Sequence, residues 1–215
     1  MIQKRVLITG GSGGIASGIL GVLSNSNYKV LSPSRSDLNV TSSESIHLFF
    51  KNYGPFDVVI NNAGEIYISD TSTSDTWLWE NVINVNLFGT YKVTKEAIRQ
   101  RNEVTIINIS SMSAYQHFKG FSAYSSSKAG IVALTKCLSA EGVNAYSICP
   151  GSVDTKFREK LLKNASQEDK KKRELSDNDM LMPSDIGEIV FDILSGKYEN
   201  GSSILIRKND IFEVR

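Results

Sequence analysis

Cysteine, histidine and net charge are all scarce in this chain: two cysteines, two histidines and a formal charge of +1 over 215 residues. Cys137, in a helix-like run, and Cys149, at a strand end, read as small buried apolar side chains that a reducing compartment keeps free. His47, within the segment 44 to 51, has no ligand cluster around it in the sequence and reads as structural, so no metal site is expected. The near-balance of charge gives no whole-chain field that would favour nucleic acid or a membrane surface. No apolar run approaches the length that spans a bilayer. The first strand-like run begins at residue 4 and leaves no room for a signal peptide, so a cytoplasmic location is expected. The length suits one domain over residues 1–215, large enough to bury a sizeable core.

What is present is a set of chemically pointed segments. Ser110-Ser111 closes the apolar run 104 to 109, which reads as a buried parallel strand. The run from Ala123 to Lys136 has helical character, and residues four apart share a helix face, so Lys128 is expected beside Tyr124. A cation there favours the phenolate and would draw the phenol from its ordinary pKa of about 10 toward the working range. Near the N-terminus, the apolar strand 4 to 9 runs into Gly10-Gly11-Ser12-Gly13-Gly14-Ile15-Ala16 and then into a helix-like segment ending near Leu23. Strand, glycine loop and helix aim backbone N–H groups and a positive helix end at a pyrophosphate.

With these motifs in order, the chain resembles the short-chain dehydrogenase/reductases over nearly its whole length. Thr9, Gly10 and Gly14 match the family's opening glycine pattern, with Ala16 where its last glycine normally falls. Asn61-Asn62-Ala63-Gly64 matches a motif that lines the adenosine side and braces the sheet. Asn86 matches a helix asparagine that holds a water in a proton relay. Ser111, Tyr124 and Lys128 fall on the remaining catalytic positions, and Pro150, Gly151, Val153 and Thr155 on a segment over the nicotinamide. The resemblance implies that Tyr124 exchanges a proton with a carbonyl oxygen, Ser111 orients it, Lys128 stabilises the tyrosinate and grips the ribose, and Asn86 orders water. Gly10, Ser12, Gly13, Gly14, Ile15, Asn62, Ala63 and Gly64 would hold the dinucleotide together with Tyr124 and Lys128. It also implies a homodimer or homotetramer through the helices that start near Glu80 and Ala123. At 215 residues the chain is too short for the separate substrate domain of the extended, epimerase-like relatives.

After the second strand, Ser34 takes the position where an acidic residue would bind the adenosine ribose of NAD, and Arg35 follows it. Guanidinium matches phosphate bidentately, so NADP(H) is the expected cofactor, with Ser12 a further phosphate contact and Asp37 the one nearby carboxylate that would suit NAD(H). Strands are expected at 4 to 9, 28 to 32, 57 to 60, 104 to 109, 143 to 149 and 203 to 207, alternating with helices. The fold class is α/β, a Rossmann-type, doubly wound parallel sheet. Too few residues separate Ser32 from Leu38-Asn39-Val40 for a parallel crossover, so the helix between strands 2 and 3 is predicted missing and a vestigial third strand is expected at 38 to 40, with Asn39 near the adenine.

The polar stretch 156–182 corresponds to the family's substrate lid, and its charge run Glu168 to Arg173 reads as a solvated helix. Tyr115, His117 and Phe118 border the expected substrate pocket, with His117 read as an incidental loop residue. Trp77 and Trp79 read as packing or subunit-contact residues. The expected activity is hydride transfer between NADP(H) and a carbonyl or secondary alcohol of a small polar substrate. A 3-oxoacyl reductase is one alternative. A non-catalytic dinucleotide sensor is another, which the intact Ser111, Tyr124 and Lys128 disfavour.

Overall fold

The computed structural model describes residues 3–24, 26–157 and 180–215. The strands are β1 (Lys4–Ile8), β2 (Tyr28–Leu31), β3 (Val58–Asn61), β4 (Thr105–Ile109), β5 (Asn144–Pro150), β6 (Ser203–Arg207) and β7 (Asp210–Val214). They form one sheet in the order β2-β1-β3-β4-β5-β6-β7, in which every pair is parallel except β6 with β7. Among the described residues the α-helices are α1 (Gly14–Leu23), α2 (Ser43–Tyr53), α3 (Thr76–Ile83), α4 (Gly89–Gln100), α5 (Ser122–Ala140) and α6 (Pro183–Leu194).

Alternate residues of each central strand face opposite layers, and both layers are apolar, which is why these strands read as unbroken hydrophobic runs. Val6, Ile8, Ile107 and Ile148 pack with Ala16 and Ile19 of α1 and Ile186 and Ile189 of α6. Leu7, Val59 and Ile106 pack on the other face with Phe49 and Phe50 of α2, Val93 of α4 and Leu138 of α5. Each large side chain so buried contributes about 1.5–3 kcal/mol. Ser42 caps α2 by accepting from Ser45 N at 3.2 Å, and Asp75 caps α3 by accepting from Leu78 N at 3.0 Å. α6 starts on Pro183, with the Asp185 carboxylate accepting from Met182 N at 2.8 Å. α1 and α6 approach so closely that a Cβ on Gly18 would lie 2.2 Å from the Pro183 backbone.

The doubly wound sheet and the missing helix are as expected: residues 32–42 form turns and coil, and the next helix is α2. The vestigial strand at 38 to 40 does not form. Leu38 and Val40 are buried against the Phe49 layer, so their hydrophobicity is satisfied by packing without strand pairing, and β2 is left as the sheet edge. The six expected strands are all parallel, and a seventh that was not expected, β7, pairs antiparallel with β6. Only Lys208-Asn209 link β6 to β7, far too few residues for a parallel crossover, so the chain folds back as an antiparallel hairpin.

Cys149 is buried as expected, but Cys137 is exposed, because the inward face of α5 is taken by Ile131, Thr135 and Leu138. The lid stretch 156–182 and its charge run fall almost wholly outside the described residues. Its two ends are joined: Asp154 N donates to Leu181 O and Leu181 N to Ser152 O, both at 2.9 Å.

Candidate active site

The C-terminal tips of the parallel strands open into one cavity of about 1550 Å³. Strand tips place it there, since the loops that leave them diverge to opposite faces of the sheet. At one end, Gly10 (φ +68) lets the chain turn off β1 into the loop, and a Cβ there would be 2.9 Å from Ala63 Cα. Asn62 ties the loop to β3: its Nδ2 donates to Thr9 O at 2.9 Å and to Gly10 O at 3.3 Å, while Thr9 Oγ1 accepts from the Asn62 and Ala63 amides. No side chain caps α1 and no acidic residue stands in its first turn. That leaves its first amides as donors for an anion, a pattern that fits a pyrophosphate.

In the middle of the cavity, β4 ends at Ile109 and the chain turns through Ser110 and Ser111 into a short 3-10 turn. Ser111 Oγ accepts from Ser113 N at 3.1 Å, which fixes the hydroxyl beside the Tyr124 phenol. Lys128, one turn further along α5, has Nζ 5.5 Å from the Tyr124 ring centroid and donates to Ile109 O at 2.8 Å. Ser110 Oγ in turn donates to Lys128 O at 2.8 Å, so the tip of β4 holds both ends of the lysine. Lys128 is 4% exposed, whereas Tyr124 keeps an edge on the cavity. Burial pulls the Lys128 ammonium down to about 8, with the nearby Cys149 opposing. Burial likewise pushes the Tyr124 phenol up to about 12 against the pull of the neighbouring Ser111 hydroxyl, and the Cys149 thiol up to about 11. The expected lowering of the phenol by Lys128 is therefore not what this structure shows: the ammonium is directed to a backbone carbonyl, and desolvation of the ring outweighs it.

Of the residues singled out in the sequence, Gly10, Ser12, Gly13, Gly14, Ile15, Arg35, Asn39, Asn62, Ala63, Gly64, Ser111, Tyr124, Lys128, Pro150, Gly151, Val153 and Thr155 all line this one cavity. Ser34 does not. Its hydroxyl and amide turn to Asp37 Oδ2, at 2.6 and 3.1 Å, which also takes Asp37 into a separate groove beside Leu48 and Tyr53. Arg35 has no ion pair or hydrogen bond among the described residues. Asn86 sits behind the lining in a π-helical turn, Asn84–Phe88. Its Nδ2 donates to Glu65 O and Ser127 Oγ, both at 2.9 Å, and its Oδ1 accepts from Glu65 N at 2.7 Å. Its side chain thus braces α5 against the 64–65 loop. His117 and Phe118 line the cavity, while Tyr115 is not among its lining residues. Trp77 is 70% exposed and Trp79 Nε1 donates to Ser122 Oγ at 3.1 Å. Sequence reasoning missed Arg207, Lys208 and Asp210 as lining residues. The rule that places ligands at strand tips would have found Arg207, the last residue of β6.

A glycine loop that opens a helix, a buried lysine and a tyrosine beside a serine thus share one cavity at the tips of the parallel strands. The family model for short chain dehydrogenases matches residues 37–166. The chain belongs to that family. Among curated proteins it is similar to a putative ketoacyl reductase of Streptomyces coelicolor, 37% identical over 112 residues, which cover 48% of this chain and 43% of that protein. It is also similar to an uncharacterized oxidoreductase of Staphylococcus saprophyticus, 30% identical over 186 residues, 71% of this chain and 80% of that one. The match to the Streptomyces protein spans less than half of that protein's length. Among solved structures, a small-chain dehydrogenase in complex with NADPH superposes with a TM-score of 0.84 at 20% identity, covering 95% of this chain and 96% of that one. ElxO with NADP bound gives 0.76 at 25% identity, covering 95% and 97%. Among the described residues, no helix is long and apolar enough to cross a membrane.

Proposed function

We propose that the protein is an NADP(H)-dependent reductase of a carbonyl group on a small polar substrate. The observation that carries this reading is the convergence of Ser111, Tyr124 and Lys128 on the cavity that also holds the glycine cradle. Arg35, uncommitted among the described residues, supports NADP(H) over NAD(H), as does the withdrawal of Asp37 from the cavity. The NADP bound by ElxO, 25% identical to this chain, agrees with that preference.

When bound, the reduced nicotinamide supplies the hydride that goes to the carbonyl carbon. Ser111 Oγ holds the carbonyl oxygen, and Tyr124 donates its phenolic proton to that oxygen as negative charge builds there. A phenol at about 12 is fully protonated at neutral pH, the form that a reduction needs. The Lys128 ammonium, buried under the ring, stabilises the phenolate left behind. Asn86 acts at one remove, holding α5 in register through Ser127. The exposed side chains of Trp77 on α3, Phe88 in the π-helical turn and Tyr91 on α4 support self-association through this stretch, which includes the helix start near Glu80.

The Tyr124→Phe protein tests the assignment. NADPH oxidation over a panel of small ketones, keto-sugars, sugar phosphates and 3-oxoacyl thioesters is expected to fall by about 10³-fold, with the NADPH dissociation constant unchanged within about twofold. Undiminished turnover would remove Tyr124 as proton donor. Tight NADPH binding by the unsubstituted protein, with no substrate turned over, would favour the sensor reading. A 3-oxoacyl substrate is the second reading, favoured by the aromatic wall in which the Phe118 and Phe121 rings lie 5.6 Å apart and Tyr124 and Phe157 6.2 Å apart.

A further inference from the structure

Beyond the tyrosine, the cavity ends on the β6–β7 hairpin, and the last side chain of β6 is Arg207. Its root is fixed. Gly151 N donates to Ile206 O at 2.9 Å, and a Cβ on Gly151 would lie 3.8 Å from Arg207 Cγ, so the arginine stem lies against the segment that follows β5. Its hairpin partner is Asp210, directly across the ladder and on the same cavity wall, yet no ion pair closes between them. No carboxylate among the described residues lies within ion-pair distance of this guanidinium. Lys156, Lys208, Asp154 and Asp210 also line the cavity, so with Arg207 these described residues count three cations against two carboxylates. Lys119 nearby is neutralised by Asp70 at 3.1 Å.

Position along the sheet separates this arginine from the adenosine end of the cofactor site. The strand order puts Arg35, after β2, and Arg207, on β6, at opposite ends of the row of tips. Five strand spacings make that about 24 Å, whereas β6 is two spacings, about 10 Å, from the tip of β4 that carries Ser111. Subtracting the reach of an arginine side chain leaves room for a few carbon atoms between the reacting carbonyl and the guanidinium.

We propose that Arg207 is a specificity-determining residue that binds an oxyanion, carboxylate or phosphate, placed a few bonds from the carbonyl of the substrate. The planar fork of arginine pairs bidentately with either group, and so fixes the distance from the anion to the reacting carbon. This rests on the reductase reading above. Arg207 is exposed, so replacing it leaves the core intact.

The test is calorimetry on NADPH-saturated Tyr124→Phe protein, in which turnover does not consume the ligand. The probes are two pairs that share a carbonyl and differ in charge: acetoacetate with methyl acetoacetate, and dihydroxyacetone phosphate with dihydroxyacetone. At least one anion is expected to bind tenfold or more tighter than its neutral counterpart, and which one does so distinguishes carboxylate from phosphate. Adding Arg207→Gln is expected to bring that ratio below about twofold while NADPH affinity stays within twofold. Equal affinities within both pairs, a ratio that survives Arg207→Gln, or no binding of either anion would overturn the proposal. Failure of the reductase reading shows separately. In the unsubstituted protein, turnover of the neutral ketones without an anion preference leaves that reading standing and removes this one. Arg207-dependent anion binding with no carbonyl reduced does the reverse.

Discussion

The nucleotide end and the reacting centre of the cavity are built from different materials. At Gly10 to Ile15 the contacts come from backbone, held by Thr9 and Asn62, and no buried charge is involved. At Ser111, Tyr124 and Lys128 they come from side chains, one of them an ammonium that is 4% exposed. A backbone cradle is inexpensive in stability, because its donors belong to a helix that forms anyway. A buried lysine is not, since taking its charge out of water costs several kcal/mol before any partner repays it. The proposed chemistry therefore draws on a side chain whose burial opposes folding, and that contrast can be tested by removing the charge.

The largest effect is expected from Lys128→Met. Turnover should fall by about 10³-fold, because the cation that stabilises the phenolate is then gone. Stability at pH 7 should rise by about 3 kcal/mol, the order of the penalty that draws the ammonium from 10.5 down to about 8. The sign follows from linkage: a lysine whose folded-state value is depressed destabilises fully below about pH 8, and the penalty fades as pH rises through the unfolded value near 10.5. Urea titrations of both proteins at pH 7 and pH 10 should show the gain at the first and its shrinkage at the second. A loss of stability at pH 7 would mean that the Ile109 carbonyl bond outweighs desolvation.

The same ammonium sets the next effect. In the unsubstituted protein, kcat/KM for reduction should be level below about pH 8 and fall toward tenfold per pH unit above it, as Lys128 loses its proton while Tyr124, at about 12, keeps its own. A profile level to pH 10 would remove the lysine charge from the mechanism.

At the nucleotide end, Arg35→Ser should weaken NADPH binding by about 10- to 100-fold and NADH binding by less than about twofold, by fluorescence titration. Equal losses would make Arg35 a general anion contact and would blur the distinction between the two ends.

The two ends were also unequally legible in the sequence. The cradle and the Ser111–Tyr124–Lys128 set could be read because their geometry is local: a glycine loop between a strand and a helix, and two side chains one helical turn apart. Arg207 is joined to them only through the order β4-β5-β6, a long-range pairing that no local spacing encodes. The hairpin to β7 turned on a polar pair, Lys208-Asn209, that carries no strong turn signature. Leu38 and Val40 alternate like a strand, but the chain is too short there to bring them to the sheet, and burial beneath α2 took the place of pairing. The Tyr124 phenol went the other way from expectation because a sequence shows the neighbouring cation and not the burial that outweighs it.

The smallest expected effect concerns Asp37, the carboxylate close enough in sequence to Arg35 to have made this an NAD(H) site. Its Oδ2 accepts from Ser34 Oγ at 2.6 Å and from Ser34 N at 3.1 Å, and these bonds hold the carboxyl below its usual range. They also close the turn at residues 34–37 and commit the carboxylate to the groove beside Leu48 and Tyr53, away from the cavity. A ribose would have to compete with two short local bonds and a change of loop conformation to recruit it. Asp37→Asn preserves the size of the side chain and one acceptor, and should therefore leave both NADPH and NADH affinities within about twofold. If NADH affinity alone fell tenfold, Asp37 would be a ribose ligand after all, and the turn at 34–37 would have to open whenever that cofactor binds.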